Sequence, residues 1–329
     1  MQTLDQLAEK VALPARIDQA LKTGFDLVLS ISGGKDSDAL VRIITHMCYV
    51  QRRGWRSPVR LVHSHLGRAE HTYTLPYIRR FARQIGLPLD VVDGGDLVDV
   101  MKARKAKLAT QGRAIPFWPS VKSRYCTSST KRDPLSKYLR QRSGKSGRVI
   151  CTLGLRAEES PARAKKPVMR ERASVHTQSR TAYDWLPLHG FSLRDVWNTL
   201  GYEPEQLQAL QRRYNGWRQS EIFELGLPFH PAYIQGNMRL SCALCFMANQ
   251  NDLRNGALEH PTLYREYVQL EIDSGYSFQP KRWLGDVAPE LLTSTMRDAL
   301  TEAKSRHQTS APATHHTEKS GPIQLSLFA

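Results

Sequence analysis

The sequence feature that most constrains the fold is a glycine-containing loop, Ser32-Gly33-Gly34-Lys35-Asp36-Ser37. Residues 25–31, just before it, form a short and mostly apolar run that is typical of a strand buried in a parallel sheet. Apolar residues at helical spacing follow it, from Ala39 to Met47. Adjacent glycines let the backbone approach a phosphate, and the start of a helix adds N–H donors. The pattern therefore predicts a phosphate-binding loop in an α/β protein.

The polar side chains of this loop have chemistry that suits a nucleotide. Lys35 supplies a positive charge for phosphate oxygens, Ser32 and Ser37 supply hydroxyls, and Asp36 could hold a water on Mg²⁺. Neither G-x-x-x-x-G-K-[ST] nor G-x-G-x-x-G is present. The alternative interpretation is an ordinary strand-to-helix turn built from small residues.

Further strands are predicted at 59–65, 89–92 and 149–155, with a helix between the first two. Strands alternating with helices predict a doubly wound parallel sheet. An amphipathic helix, interrupted at Pro14, is predicted over residues 4–23.

Beyond about residue 190 the strand signals fade and short helices are predicted at 193–200, 205–214 and 262–274. Residues 304–323 are rich in Ser, Thr, His and Pro, which is typical of a disordered tail. We therefore predict a nucleotide-binding domain over 1–190, a mainly helical part over 191–303 and a flexible tail over 304–329.

The charge of the chain is concentrated in one segment. The 329 residues carry a net charge of +16, and residues 102–172 hold 20 Lys and Arg against four acidic residues, a surplus equal to that of the whole chain. Such a run is either a solvated face or a footprint for a polyanion. No apolar stretch is long enough to cross a membrane and no secretory signal is visible, so a cytoplasmic protein is expected.

Two of the five cysteines form a C-x-x-C, Cys242 and Cys245. This spacing lets two thiolates reach one metal, although a redox dithiol or core cysteines remain alternatives. Arg239 is expected to lower the pKa of these thiols. Cys48 and Cys151 lie in a predicted helix and a predicted strand, and we expect both to serve packing.

Residues 32–37 resemble the S-G-G-x-D-S "PP-loop" of the ATP pyrophosphatases and of their relatives, the phosphoadenosine phosphosulfate (PAPS) reductases. Three further stretches resemble the reductase branch in order: Gly67-Arg68-Ala69-Glu70 with Thr74, Tyr125-Cys126-Thr127 through Lys131 to Pro134-Leu135, and Gly154-Leu155-Arg156 through Glu159-Ser160 to Arg163. The resemblance implies an adenine nucleotide alpha hydrolase-like fold that binds ATP and Mg²⁺. It also implies catalytic roles for Lys35, Asp36, Arg156 and Arg163, and nucleotide contacts from residues 32–37, Glu159 and Ser160.

The resemblance also suggests a [4Fe–4S] cluster. In the cluster-containing reductases a C-C pair and a C-x-x-C are the ligands, and here Cys126, Cys242 and Cys245 remain while Tyr125 replaces the other cysteine. Three ligands would leave one iron open. Zinc, with a histidine such as His230 as fourth ligand, is the competing metal.

One departure from the reductases bears on function. Their redox step uses a cysteine in a C-terminal segment, and no cysteine follows Cys245 here. We therefore expect an enzyme that adenylylates an acceptor for sulfur transfer, similar to the ATP pyrophosphatase of Dnd-type DNA phosphorothioation, with DNA and a sulfur donor such as a cysteine desulfurase as partners. The alternatives are a sulfonucleotide reductase and a nucleotide-sensing, DNA-associated accessory protein.

The extreme C-terminus holds a separate motif, Gln324-Leu325-Ser326-Leu327-Phe328. It resembles the Q-L-[SD]-L-F peptide by which bacterial replication and repair proteins bind the DNA sliding clamp. The resemblance implies that Leu325, Leu327 and Phe328 fill an apolar pocket while Gln324 makes polar contacts. A segment that folds back on its own domain is the alternative.

Overall fold

The computed structural model describes residues 1–143, 146–280 and 282–310. Six strands are present in this part of the chain: β1 (Asp26–Ser30), β2 (Val59–His65), β3 (Leu89–Asp93), β4 (Arg148–Thr152), β5 (Met169–Glu171) and β6 (Thr181–Trp185). The first helices are α1 (Leu4–Glu9), α2 (Ala15–Lys22), α3 (Lys35–Thr45), α4 (Thr74–Ile85), α5 (Leu97–Thr110), α6 (Tyr125–Thr127) and α7 (Asp133–Arg142). The later helices are α8 (Pro161–Ala164), α9 (Leu193–Thr199), α10 (Pro204–Arg213), α11 (Gln219–Glu224), α12 (Gln250–Glu259), α13 (Pro261–Ser274) and α14 (Ser294–Ser310).

The strands form one sheet in the order β3-β2-β1-β4-β6-β5. All neighbouring strands are parallel except β5 and β6. The predicted doubly wound α/β architecture is confirmed, and so are the four strands that the sequence indicated. β5 and β6 were missed. β6 is buried along most of its length although it carries Asp184, because Arg172 pairs with that carboxylate at 2.6 Å.

The predicted N-terminal helix is two helices: α1 ends at Glu9, and α2 begins directly after Pro14, which has no N–H to continue an earlier helix. The helices predicted after residue 190 are present as α9, α10 and α13.

The tail boundary at residue 304 was placed too early, since α14 continues to Ser310. Gln324, Leu325, Leu327 and Phe328 lie outside the described residues.

Two large apolar clusters organise the molecule. The first packs α1, α2 and α3 against the sheet and includes Leu188 and Phe191. The second joins α5 to α12, α13 and α14, so its core contains residues from both sides of the boundary predicted near 190. Within the described residues, no helix combines the length and apolar character that crossing a bilayer requires.

Candidate active site

The site lies where the strand order reverses. β1 has β2 on one side and β4 on the other, so the loops that follow β1 and β4 meet at the same edge of the sheet. Such a crevice at the carboxyl ends of the strands is where doubly wound proteins bind ligands. Contact between the two loops is close, because a Cβ on Gly154 would lie 2.7 Å from the Asp36 carbonyl oxygen. The two motifs predicted to bind nucleotide are therefore adjacent.

Local hydrogen bonds fix the shape of the loop 32–37. Ser37 Oγ accepts the Ser32 N–H at 3.1 Å and donates to the Gly34 carbonyl at 2.8 Å. Gly33 has a φ of +72°, and a Cβ there would lie 3.4 Å from Leu240 Cδ2. The left-handed backbone and the packed neighbour both favour glycine at this position.

Lys35, Asp36 and Arg156 form a buried charge cluster. Lys35 Nζ lies 3.3 Å from Asp36 Oδ2, and Arg156 Nε donates to Asp36 Oδ1 at 2.6 Å. Burial acts to raise the pKa of Asp36, but the two cations outweigh it and lower the pKa below its usual value. Arg156 also donates to Glu158 at 2.6 Å. Phosphate oxygens entering the crevice would compete with Asp36 for both cations.

Arg163, Glu159 and Ser160 hold the second loop together. Arg163 pairs with Glu159, and Glu159 Oε2 accepts the Arg156 N–H at 3.0 Å. Ser160 caps α8 by accepting the Arg163 N–H. Glu159 and Ser160 therefore have local structural partners, and their nucleotide contacts stay a prediction.

Sequence reasoning missed several residues that support the loop. Tyr233 Oη accepts the Lys35 N–H at 2.9 Å, and Tyr77 Oη donates to Asp38 at 2.8 Å. Burial raises the pKa of Asp38 to about 7, against the hydrogen bonds from Tyr77 and Ser37. An acidic residue on the apolar face of α3 was a signal for Asp38, whereas nothing local pointed to Tyr233.

The three predicted metal ligands lie near one another. Burial raises the pKa of Cys242 to about 12; Lys131 lowers it, and Cys245 and Cys126 raise it further. Lys131, which belongs to the motif 125–135, lowers the pKa of Cys242 as had been expected of Arg239. The charge of Arg239 acts to lower the pKa of the Asp252 carboxyl.

Close packing and a main-chain hydrogen bond fix the position of the C-x-x-C loop, which runs from Cys242 to Cys245. The Ala243 N–H donates to the Ala69 carbonyl at 2.9 Å, and any Cβ on Gly256 would overlap the Ala243 carbonyl oxygen. Three thiols are the donor chemistry that an iron–sulfur cluster uses. As they stand, however, no three His, Cys, Asp or Glu side chains in the described ranges are grouped so as to hold a metal ion.

The strap formed by residues 238–242 joins the two halves of the site. Lys35 Nζ donates to the Met238 carbonyl at 3.2 Å. Leu240 Cβ would lie 3.7 Å from a Cβ on Gly34, and Cys242 follows two residues later. The strap therefore places Cys242 close to the loop 32–37.

Tyr125 and His230, which the sequence analysis connected with the metal site, both make hydrogen bonds within the fold. Tyr125, which stands where the reductases have a cysteine, donates from Oη to the Phe117 carbonyl at 2.7 Å. His230, the suggested zinc ligand, accepts the Ala232 N–H at Nδ1, so its Nε2 donates to Thr74 Oγ1. Both ring nitrogens are thus occupied. Cys48 and Cys151 pack against the apolar clusters as expected.

The strand order, the glycine loop and the flanking cations define an α/β protein of the doubly wound class with a candidate site for an anionic ligand. The family model for the phosphoadenosine phosphosulfate reductase domain matches residues 26–214, more than half of the chain. The chain therefore belongs to the phosphoadenosine phosphosulfate reductase domain family.

Individual relatives are more distant. An uncharacterized 37.8 kDa protein in the gpa 5' region of Escherichia phage 186 is 28% identical over 141 residues, which are 41% of this chain. The match covers only 34% of that relative. Among solved structures, the U34-tRNA thiolase NcsA from Methanococcus maripaludis with its [4Fe-4S] cluster is 11% identical at a TM-score of 0.43, covering 96% of this chain and 83% of that one. A 4-thiouridine synthetase in complex with RNA and bound ATP is 15% identical at a TM-score of 0.29, covering 88% and 54%.

Proposed function

We propose that this protein is an ATP pyrophosphatase that adenylylates an acceptor for sulfur transfer. The observation that carries the proposal is the strap 238–242, which places Cys242 beside a phosphate-binding loop whose lysine contacts the same strap. A nucleotide in the crevice would have its phosphates near Lys35 and Arg156 and the thiols close by. Family membership supports a nucleotide substrate.

In the first step an acceptor oxygen attacks the α-phosphorus of ATP. The bond from that phosphorus to the bridging oxygen breaks, and pyrophosphate leaves with the electron pair. Lys35, Arg156 and Arg163 stabilise the negative charge that develops on the phosphates. This electrostatic stabilisation is stronger in a buried site than in water. Asp36 would hold Mg²⁺ through water, and the ion would offset charge on the phosphate oxygens.

In the second step sulfur at the oxidation level of sulfide forms a bond to the activated centre of the acceptor. The bond from that centre to the adenylyl oxygen breaks and AMP leaves. A cysteine desulfurase with a thiol reductant is the proposed source of this sulfur. Cys126, Cys242 and Cys245 would hold a [4Fe–4S] cluster, which would supply an open coordination position for external sulfur. Zinc is the competing metal.

The acceptor that we propose is DNA, in a modification that resembles phosphorothioation. Mass spectrometry of nucleosides from cells with the natural chain or with a Lys35→Ala chain tests this assignment. Sulfur-modified DNA nucleotides are expected only with the natural chain. The same nucleoside profile in both strains, or sulfur in RNA alone, would overturn the DNA assignment.

We also propose that the C-terminal pentapeptide 324–328 binds the bacterial DNA sliding clamp. A peptide spanning residues 320–329 should bind the clamp at about micromolar strength, near −8 kcal/mol. Replacing Leu327 and Phe328 by alanine removes the apolar groups that would fill the pocket, so binding should be lost. Equal binding of full-length protein with and without the two side chains, measured by calorimetry, would rule the motif out.

A further inference from the structure

The basic segment 102–172 divides into two parts when its ion pairs are considered. On α5, Lys102 lies 2.6 Å from Glu266 and Lys105 lies 3.3 Å from Asp273. Arg68 nearby also pairs with Glu266. Acidic residues of α13 therefore neutralise this face, and little of its charge is available to a partner.

Another group of basic residues in the segment lies near Cys126, in sequence or in the fold. Among the described residues, no carboxylate forms an ion pair with any of its four members, Arg104, Lys122, Arg124 and Lys131. We call these four residues the thiol-side patch. Lys122, Arg124 and Lys131 are exposed. The nearby carboxylates are engaged elsewhere, since Glu70 lies 3.2 Å from His63 and 3.4 Å from His65, and Asp133 pairs with Arg132.

Two members of the thiol-side patch, Arg104 and Lys131, lie close to the thiols. The Arg104 guanidinium lies 4.6 Å from the centre of the Tyr125 ring, next to Cys126, and its buried Nε has no hydrogen-bond partner. Lys131 acts electrostatically on both Cys126 and Cys242. The main chain next to Lys131 is held in place, because Ser64 Oγ donates a hydrogen bond to the Thr130 carbonyl at 2.7 Å. The cations therefore project from an ordered surface beside the thiols.

We infer that the thiol-side patch binds the phosphate backbone of a nucleic acid and presents it to the thiol site. This inference rests on the proposed function and names the surface that would hold its acceptor. Four separate cations without ion-pair partners in the described part of the chain match a repeating anion better than a single nucleotide, whose phosphates would lie near Lys35 and Arg156. Contacts between cationic side chains and nucleic-acid phosphates release counterions, so nucleic-acid binding weakens steeply as the salt concentration rises.

The test compares two double variants of the full chain that remove equal charge. Lys122→Ala/Arg124→Ala alters the patch, and Lys102→Ala/Lys105→Ala alters the neutralised face. Fluorescence anisotropy with a labelled DNA duplex, and with a labelled RNA hairpin of equal phosphate number, is measured across a salt series without ATP. Thermal melting checks that both variants fold.

The patch variant should bind the labelled nucleic acid at least about tenfold more weakly than the natural chain. Because two phosphate contacts are lost, the slope of log binding constant against log salt concentration should be smaller by about 1.8 for DNA. The matched variant should bind like the natural chain. The tighter of the two probes identifies the polymer. Equal weakening by both variants, or no salt-dependent binding, would overturn the inference even if pyrophosphate release is intact. Patch-dependent nucleic-acid binding by a natural chain that does not cleave ATP would instead count against the proposed function alone.

Discussion

Replacing Lys35 by alanine should lower pyrophosphate release from ATP by at least about a hundredfold, because one preorganised charge at the reacting phosphates is worth that much. Lys35 is buried, and among the described residues its Nζ makes polar contacts with Asp36 and the Met238 carbonyl alone. Arg156 still pairs with Asp36 in the variant. The melting temperature should therefore change by only a few degrees.

Lys22→Ala is the matched control. Lys22 is an exposed lysine on α2 that pairs with Asp18, and it belongs to neither loop of the crevice. Its substitution should leave pyrophosphate release at the level of the natural chain. Full activity of Lys35→Ala, or equal loss in both variants, would show that the loop does not act on the phosphates.

Cys242→Ser should remove most of the iron and the brown colour from protein purified without oxygen. Its thiol interacts with both Cys126 and Cys245, so its loss leaves too few ligands to hold a cluster. Cys126→Ser and Cys245→Ser should have the same effect. The measurements are metal analysis and visible absorption.

Cys48→Ser is the control for this series, because Cys48 packs against the first apolar cluster, away from the C-x-x-C loop. That variant should keep the iron and colour of the natural chain. Colourless natural protein containing one zinc per chain would contradict the cluster and favour the competing metal.

Local sequence signals predicted the parts of this molecule that depend on local chemistry. Glycines with polar residues between a strand and a helix were enough to place the loop 32–37, and apolar runs were enough for β1 to β4. β6 lacks such a run: its buried Asp184 is compensated by Arg170 and Arg172, which pair with it from a preceding segment. A burial pattern that depends on a distant partner leaves no local trace.

The same distinction applies to the candidate site. The identities of Lys35, Asp36 and Arg156 could be read from their motifs, but their mutual ion pairs depend on the approach of two loops that are separated by more than a hundred residues. Lys131, more than a hundred residues from Cys242 in sequence, acts on its thiol because of the fold, whereas the charge of Arg239, three residues away, acts on Asp252. Proximity along the chain was a poor guide to electrostatics.

Product analysis of ATP labelled at its α-phosphate tests the central claim most directly. Full-length protein, prepared without oxygen, is incubated with the labelled ATP, Mg²⁺, duplex DNA and sulfide, and the nucleotide products are separated. Cleavage between the α- and β-phosphates predicts labelled AMP in amounts equal to pyrophosphate, with none from Lys35→Ala. Labelled ADP with inorganic phosphate, or inert ATP together with sulfite formed from PAPS and a thiol reductant, would contradict the account.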